Sequence, residues 1–380
     1  MVSLPVIITI IVALISSATL IYYLLEQPQQ PTQTPSTISS SIERTNLSTG
    51  KVGMAVQYPQ LTNEKLISLL KEGGIQVFHS GWIAWEDVEK TSGSYDFSSV
   101  DPLFKIINDS QFDFEIAIDI GPLIALSYDR PSLPSYIQFK GWNDTYLKER
   151  YLAFLGAFSD RYGGKINYLL IHTEGAPTYF TEYHPEQLND YCNLIAETMR
   201  YVKQKTPHIK VGTSGNEFLD TKIAQCVSKE ADFIGLALTP DEKHQFKEPQ
   251  DVERIIDNLA QISPKKLVLE IGYYTSDKLG SSETKQVEFI KFLFQSLKKH
   301  KDKIEYIAYF ELTDQNRKTY GDALRSLFPP GTDETFMQNL IELTTTTGLL
   351  KENGSPKPGW GEFKNQVKAY YVNVAPTVVS

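Results

Sequence analysis

Two glutamates follow apolar runs of the chain directly, at points where a carboxylate has no obvious structural partner. Glu174 ends the run LLIHTE and Glu270 ends the run LVLE. A buried carboxylate is strongly destabilising unless it is paired or takes part in chemistry. Either residue could form a salt bridge, but two such groups across a cleft can also act as a proton donor and a nucleophile.

Aromatic rings lie near the predicted ends of other apolar runs and in the loops that follow them. Flat rings at such places can stack on the apolar face of a pyranose. The rings in question are those of Trp82, Trp85, Tyr179, Tyr273 and Tyr274.

Histidines give no comparable signal for a metal. His172, Glu174 and His184 are close in sequence, but neither an HExxH motif nor a paired-histidine spacing occurs. We therefore expect neither a metal nor a cofactor, and we interpret His172 as a core or supporting residue.

Eight short runs rich in β-branched and aromatic residues recur from Lys51 onward, and helical sequence follows each but the last before the next run begins. The runs are 51–58, 75–85, 112–121, 166–176, 209–215, 233–240, 266–273 and 304–314. This count predicts an α/β fold of the TIM, or (β/α)₈, barrel type. Because reactive groups in such barrels lie at the carboxyl ends of strands, Glu174 and Glu270 would face each other across the mouth.

A doubly wound sheet is the competing architecture. It would need a glycine-rich turn after the first strand, where the sequence instead reads PQLTNEK. After the eighth run, residues 319–336 are interpreted as a long loop that could form one wall of a cleft.

Three segments together resemble clan A of the glycoside hydrolases. GWIAWEDVEKTSGSYDFSSVD resembles the clan's signature of Trp, Glu and Gly followed by Tyr-Asp-Phe and Asp. LEIGY resembles its nucleophile strand, and GLLKENGSPKPGWGEF (348–363) resembles its closing segment, where the last helix packs under the barrel. The resemblance covers Lys51 to about Phe363 and implies a retaining enzyme. It assigns the acid/base to Glu174 and the nucleophile to Glu270, with carboxyl groups about 5–5.5 Å apart.

The chain departs from the clan pattern at four places. Thr173 stands where the clan has an Asn that binds the sugar 2-hydroxyl, and His79 stands where an Arg supports the nucleophile. Strand six has no matching Tyr or His unless His244 turns inward, and Tyr309 or Phe310 replaces the sugar-stacking Trp of strand eight. The resemblance thus places His79, Thr173 and Phe310 among the substrate-binding residues, beside the rings named above. It assigns no family within the clan.

The amino-terminal region differs from the rest of the chain in composition. Leu4 to Leu25 contain no charge in 22 positions, enough for a helix of about 30 Å that could cross a bilayer. We expect a transmembrane or signal-anchor segment at 1–25, a disordered Pro/Ser/Thr/Gln-rich linker at 26–48 and a catalytic barrel at 49–370. The barrel would be membrane-anchored outside the cytoplasm, or secreted if the first segment is a signal peptide that is cleaved.

Charge and cysteine content narrow the possible partners and surroundings. The net charge is −9 and no basic stripe occurs, so nucleic acid is not an expected partner. The two cysteines, Cys192 and Cys226, lack metal spacing. They are either two inert small hydrophobes or one disulfide between neighbouring helices, which an oxidising compartment would permit.

These observations favour a retaining glycoside hydrolase that acts on a β-linked oligo- or polysaccharide. An alternative is a catalytically inactive barrel that binds carbohydrate or a cell-surface polymer. A third is a different barrel hydrolase or lyase, including a metal-assisted one.

Overall fold

The computed structural model describes residues 47–56, 61–109, 114–121, 123–124, 129–216, 222–240, 245–328 and 331–374. The expected membrane segment at 1–25 and nearly all of the expected linker lie outside these ranges. Within them, no helix combines the length and apolar character needed to cross a membrane.

Eight parallel strands form a closed barrel in which each strand pairs with its neighbours in sequence order. Pairing of β1 with β8 closes the ring, with Lys51 opposite Tyr306. The strands are β1 (Lys51–Val56), β2 (Val77–Ile83), β3 (Glu115–Ile120), β4 (Tyr168–His172), β5 (Lys210–Asn216), β6 (Phe233–Leu238), β7 (Lys266–Ile271) and β8 (Ile304–Tyr309). The predicted (β/α)₈ barrel is confirmed, and each strand lies within one predicted run, except that β5 extends one residue beyond its run.

Helices surround the barrel. They are α1 (Asn63–Glu72), α2 (Asp101–Asp109), α3 (Thr145–Tyr162), α4 (Leu188–Lys205), α5 (Lys222–Val227), α6 (Asp251–Ile262), α7 (Glu283–His300), α8 (Arg317–Leu327), α9 (Glu334–Thr345) and α10 (Pro358–Val374). Side-chain caps fix several starts: Thr62 accepts from the Lys65 amide, and Ser282 accepts from the Lys285 amide. Short helical turns at Trp85–Val88 and Ala176–Thr178, and a π-helix at Tyr179–Tyr183, follow β2 and β4.

The core has two parts, because alternate strand residues point to opposite faces of the sheet. The larger apolar cluster joins the outer faces of the strands to the helices, as Leu66 and Leu70 of α1 illustrate. A smaller cluster fills the interior of the barrel; its members include Ala55, Val77, Tyr168, Leu170, Phe233, Val268, Tyr306 and Phe310.

The amino-terminal ends of the strands carry an ionic network around the Tyr168 hydroxyl. This hydroxyl contacts Lys51 at 2.8 Å, Glu115 at 2.7 Å and Glu305 at 3.1 Å. Lys51 also pairs with Glu115 at 2.7 Å, and Lys210 pairs with Glu305. Each buried charge therefore has an opposite charge close by, which offsets the cost of removing it from water.

The segment after β8 is helical, so the interpretation of 319–336 as a long loop was wrong. Asn316 caps α8 by accepting from the Thr319 amide, and Asp333 caps α9 in the same way at Phe336. Leu324 of α8 is fully buried, and this apolar anchoring explains why a segment rich in Gly, Pro and Asp still forms helices.

The last helix packs against the beginning of the barrel, as the closing segment implies. Phe363 of α10 contacts Phe294 of α7 edge-to-face, with ring centroids 5.6 Å apart. The Tyr370 hydroxyl donates to the Gly50 carbonyl at 2.8 Å, immediately before β1. Helix α10 therefore fixes the start of the first strand.

A disulfide links α4 to α5. Of the two interpretations of the cysteines, the structure therefore supports the disulfide. Cys192 and Cys226 are bonded, with their Cα atoms 5.6 Å apart, within the usual range for such bonds. The link is compatible with an oxidising compartment.

Replacing both Cys192 and Cys226 by alanine should lower the free energy of unfolding by about 3–4 kcal/mol, the chain-entropy value for a closed loop of this length. Urea denaturation of oxidised wild type and variant would measure the difference. Reduced wild type is the matched control and should resemble the variant. Two free thiols in the oxidised protein, or equal stability of all three forms, would contradict the disulfide.

Candidate active site

The two glutamates lie at the same rim of the barrel. Glu174 follows β4 by two residues, and Glu270 is the fifth residue of β7, opposite Ala308 of β8. Because all strands are parallel, both positions belong to the carboxyl-terminal end, where barrel active sites lie. The side chains are 2% and 8% exposed, so both carboxylates are largely removed from water.

Glu174 is held by a histidine from its own strand. The His172 Nε2 atom lies 3.1 Å from Glu174 Oε2. On the other side of the ring, His172 Nδ1 lies 3.0 Å from the Ser214 hydroxyl of β5 and 3.5 Å from Asp119 Oδ2 of β3. Three neighbouring strands thus fix the ring that contacts Glu174.

Asp119 also contacts a second histidine. Its Oδ1 atom lies 3.4 Å from His79 Nε2 of β2, and His79 Nδ1 lies 3.2 Å from the Tyr306 hydroxyl of β8. A continuous series of buried polar contacts therefore runs from Tyr306 through His79, Asp119 and His172 to Glu174.

Within this series, attraction between the carboxylates and the histidines determines which groups are ionised. Burial alone would raise the pKa of Asp119, but hydrogen bonds from His172 and His79 and their positive charges lower it to about 2. Burial alone would lower the pKa of His172, but Asp119 and Glu174 outweigh it and raise the pKa to about 9. Burial alone would lower the pKa of His79 as well. The hydrogen bond to Asp119 and the negative charge of Asp119 outweigh this effect, so the pKa of His79 is raised.

Glu270 stands in a different environment. No described side chain donates a hydrogen bond to its carboxylate. Burial raises the pKa of Glu270 to about 7; the charge of His79 opposes this rise and the charge of Asp119 adds to it. Glu270 is thus a carboxyl group that changes charge near neutral pH.

A third carboxyl group, Glu311, lies just after β8 and is fully buried. Gln315 donates to its Oε2 atom at 2.5 Å. Burial raises the pKa of Glu311 well above the usual range, and the charges of Asp314 and Glu270 raise it further, against the effect of the Gln315 bond. Burial therefore favours the protonated form of Glu311.

The hydroxyl of Thr173 bonds to the protein backbone, whereas the Asn of the clan pattern binds the sugar 2-hydroxyl. Its backbone amide and its side-chain hydroxyl both donate to the Ser214 carbonyl of β5, at 3.1 and 3.2 Å. The side chain is fully buried. Thr173 therefore ties the end of β4 to β5.

Of the two tryptophans near β2, the structure describes the side chain of Trp85 but not that of Trp82. Trp82 belongs to β2, where its backbone pairs with Asp119, while its side chain is outside the description. Trp85 begins the helical turn after β2 and is 3% exposed. Its ring packs against Tyr151 and Phe154 of α3, with centroids 5.2 and 6.1 Å away. This position in the outer core does not support sugar stacking by Trp85.

Three further candidate rings are also packed into the protein, whereas Tyr274 is only half-buried. Tyr179 contacts Trp142 edge-to-face, at 6.1 Å between centroids. Tyr273 stacks on Phe289 at 5.1 Å. Phe310 is fully buried in the interior cluster of the barrel. These three positions support structural rather than sugar-contacting roles, because each ring is covered by protein.

Sequence reasoning missed the polar series around Asp119. Asp119 was not selected, and His172 was interpreted only as a core or supporting residue, since nothing in the linear order shows that one contacts the other. Tyr306 lies within the apolar run IEYIAY and resembles a core residue. His244 lies outside the described residues. Within the described chain, no group of three or more His, Cys, Asp or Glu side chains could hold a metal ion.

No protein-family model matches the chain, and no curated protein sequence matches it significantly. Solved structures do match. A family 39 glycoside hydrolase from Bacteroides cellulosilyticus WH2 superposes with a TM-score of 0.55 at 14% identity over 84% of this chain. A psychrophilic family 10 endo-β-1,4-xylanase gives 0.56 at 14% identity, and the match covers 83% of this chain and 96% of the xylanase.

An exo-β-1,4-mannosidase from Opitutaceae bacterium strain TAV5 superposes with a TM-score of 0.58 at 11% identity over 89% of this chain. The chain spans 64% of the length of the family 39 enzyme and 63% of the mannosidase. At this level of identity, the likeness shows a shared barrel fold.

Trp85→Ala should affect stability rather than substrate affinity, because its ring packs against Tyr151 and Phe154. The free energy of unfolding should fall by about 3–5 kcal/mol, as for other large-to-small changes in a core. Urea denaturation and KM, measured at a temperature where the variant is folded, would check this. A raised KM at unchanged stability would restore Trp85 to the binding site.

Proposed function

We propose that the chain is a retaining glycoside hydrolase that cleaves β-linked glycans by double displacement. Glu174 is the acid/base and Glu270 is the nucleophile. The observation that carries this proposal is the placement of two buried carboxyl groups at the ends of β4 and β7, on one rim of a closed barrel. Two carboxyl groups flanking a glycosidic bond are the minimal machinery of retention.

In the first step, ionised Glu270 attacks the anomeric carbon and forms a glycosyl ester. Glu174 gives its proton to the departing glycosidic oxygen, which leaves as an alcohol. In the second step, Glu174 takes a proton from water, whose oxygen attacks the anomeric carbon. The ester bond breaks, Glu270 regains its charge, and the sugar leaves with its original configuration.

Glu270 must be ionised to attack, and this requirement sets the acidic side of the pH profile. Because burial raises its pKa to about 7, the charged form is lost as the pH falls through that value. The activity kcat/KM should accordingly fall below about pH 7. His79, the third residue of β2, opposes the rise with its positive charge, as the Arg of the clan pattern would.

The structural neighbours support a carbohydrate substrate. They are described as a family 39 glycoside hydrolase, an endo-β-1,4-xylanase and an exo-β-1,4-mannosidase. They include both endo- and exo-acting enzymes, so we propose the substrate class as β-linked oligo- or polysaccharide. Among the candidate binding residues, His79 belongs to the polar series, and Trp82 is proposed on its position at the end of β2.

A carbohydrate-binding barrel without turnover is the second candidate, and two observations favour it. The Thr173 hydroxyl is engaged with the β5 backbone, so it does not replace the amide of the missing Asn. Glu174 contacts His172, whose positive charge favours an ionised rather than a proton-donating carboxyl. Turnover of any β-glycoside by the purified protein would decide between the candidates.

We also propose that the barrel (49–370) is displayed outside the cytoplasm on a linker (26–48), held at the membrane by 1–25 or secreted after cleavage. The uncharged stretch Leu4–Leu25 supports the anchor. The Cys192–Cys226 disulfide supports an oxidising location.

Glu270→Ala should lower kcat on aryl β-glycosides by several orders of magnitude, because no covalent intermediate can form. Azide or formate should restore part of the turnover and give a product of inverted configuration. A panel of 2,4-dinitrophenyl β-xyloside, β-glucoside and β-mannoside provides the assay. Glu288→Ala, an exposed change on α7, is the matched control and should behave as wild type.

Glu174→Ala, tested in the same experiment, should leave a different signature. Dinitrophenyl glycosides need no proton at the leaving oxygen, so their first step should survive and a burst should appear. Phenyl glycosides should lose most activity. Wild-type rates in both glutamate variants would show that the catalytic residues lie elsewhere.

A chain that lacks residues 1–45 should be soluble and keep the Tm of the full-length protein. The reason is composition, since the linker has almost no large apolar side chains to add to a core. Cell fractionation should find the full chain in membranes and the shortened chain outside them. A much lower Tm of the shortened chain would assign the segment to the fold.

A further inference from the structure

Both ring nitrogens of His172 face acceptor atoms. Nε2 lies 3.1 Å from Glu174 Oε2, while Nδ1 lies 3.0 Å from the Ser214 hydroxyl and 3.5 Å from Asp119 Oδ2. A neutral imidazole has only one N–H, whereas the imidazolium can donate from both nitrogens. Two carboxylates on opposite sides of one fully buried ring therefore favour the charged form.

The backbone of β5 holds this pair in place. Gly215 has a φ of +69°, a conformation that favours glycine. A Cβ atom there would lie 2.8 Å from the Glu174 Cβ and 2.9 Å from the His172 Nε2 and Cε1 atoms. Only glycine therefore fits against His172 and Glu174, and its backbone limits the movement of both side chains.

We propose that His172 is the positioning residue for Glu174: held by Asp119 and Ser214, it fixes the orientation of the acid/base carboxylate and favours its ionised form. This proposal rests on the function proposed above for Glu174. His172 touches Glu174 and acts on the reaction only through it.

Four charged or titratable groups of the described residues act on His172. Burial lowers the pKa of His172, but Asp119 from β3 and Glu174 from the end of β4 raise it to about 9. His79 of β2 and Glu270 of β7 also interact with the His172 charge. The ring is consequently positive at neutral pH, and its charge favours the ionised form of Glu174 as much as Glu174 favours the charged form of His172.

This pairing has opposite effects on the two steps. An ionised Glu174 is ready to accept the proton of water in the second step, and His172 stabilises that form. In the first step Glu174 must be protonated, so the pair limits proton donation and sets the basic side of the pH profile. His172 thus slows the first step and favours the second.

His172→Gln removes the positive charge and keeps a polar side chain of similar length. With phenyl β-xyloside, β-glucoside or β-mannoside, the basic limb of kcat/KM should move up by about one pH unit or more, as expected when an opposite charge is lost. Asp119→Asn should shift it in the same direction. His300→Gln, which breaks the His300–Asp257 contact on the outer helices, is the matched control and should leave the profile unchanged.

NMR of ¹⁵N-histidine-labelled full-length protein tests the pair without turnover. His172 should titrate near pH 9 in wild type, and its midpoint should fall by about one unit or more in Glu174→Gln. If wild type cleaves none of the probes, the proposed hydrolase fails and this titration alone decides the proposal. A midpoint unchanged by Glu174→Gln, or an unshifted basic limb in a folded, active His172→Gln, would overturn it.

Discussion

Backbone hydrogen bonds between β1 and β8 close the sheet, with Lys51 opposite Tyr306 and Met54 opposite Tyr309. Closure brings the carboxyl ends of eight parallel strands to one rim. Side chains from β2, β3, β4 and β8 can therefore touch, although they lie far apart in sequence. The contact of Tyr306 with His79 spans 227 residues and exists only because the ring is closed.

Closure also places charged groups in an interior where water cannot stabilise them, and the two ends of the barrel meet this constraint differently. At the amino-terminal end, the charges around Tyr168 are paired with one another. At the mouth, Asp119 is shared between two histidines, while the carboxylate of Glu270 accepts no hydrogen bond from any described side chain. A buried carboxyl group that has a pKa of about 7 and accepts no hydrogen bond from the described side chains is typical of a reactive group.

The sequence was sufficient for the barrel, because each strand has a local β-branched or aromatic pattern that needs no knowledge of its neighbours. It also predicted that Glu174 and Glu270 lie at strand ends on one rim, since each carboxylate directly follows an apolar run. The Asp119–His172 contact and the packing of Trp85 were not predictable, because they depend on which side of a strand or turn faces the interior. The helix at 317–327 was missed because its stability comes from burial of Leu324 and not from local composition.

The stereochemistry of the first product tests the central claim most directly. ¹H NMR can follow the anomeric proton during the first minutes of cleavage of a β-linked oligosaccharide, before mutarotation mixes the anomers. Double displacement by Glu270 and Glu174 predicts that the β-anomer appears first and that the α-anomer grows in later. An α-anomer as the first product would contradict the account, because it requires a single displacement by water.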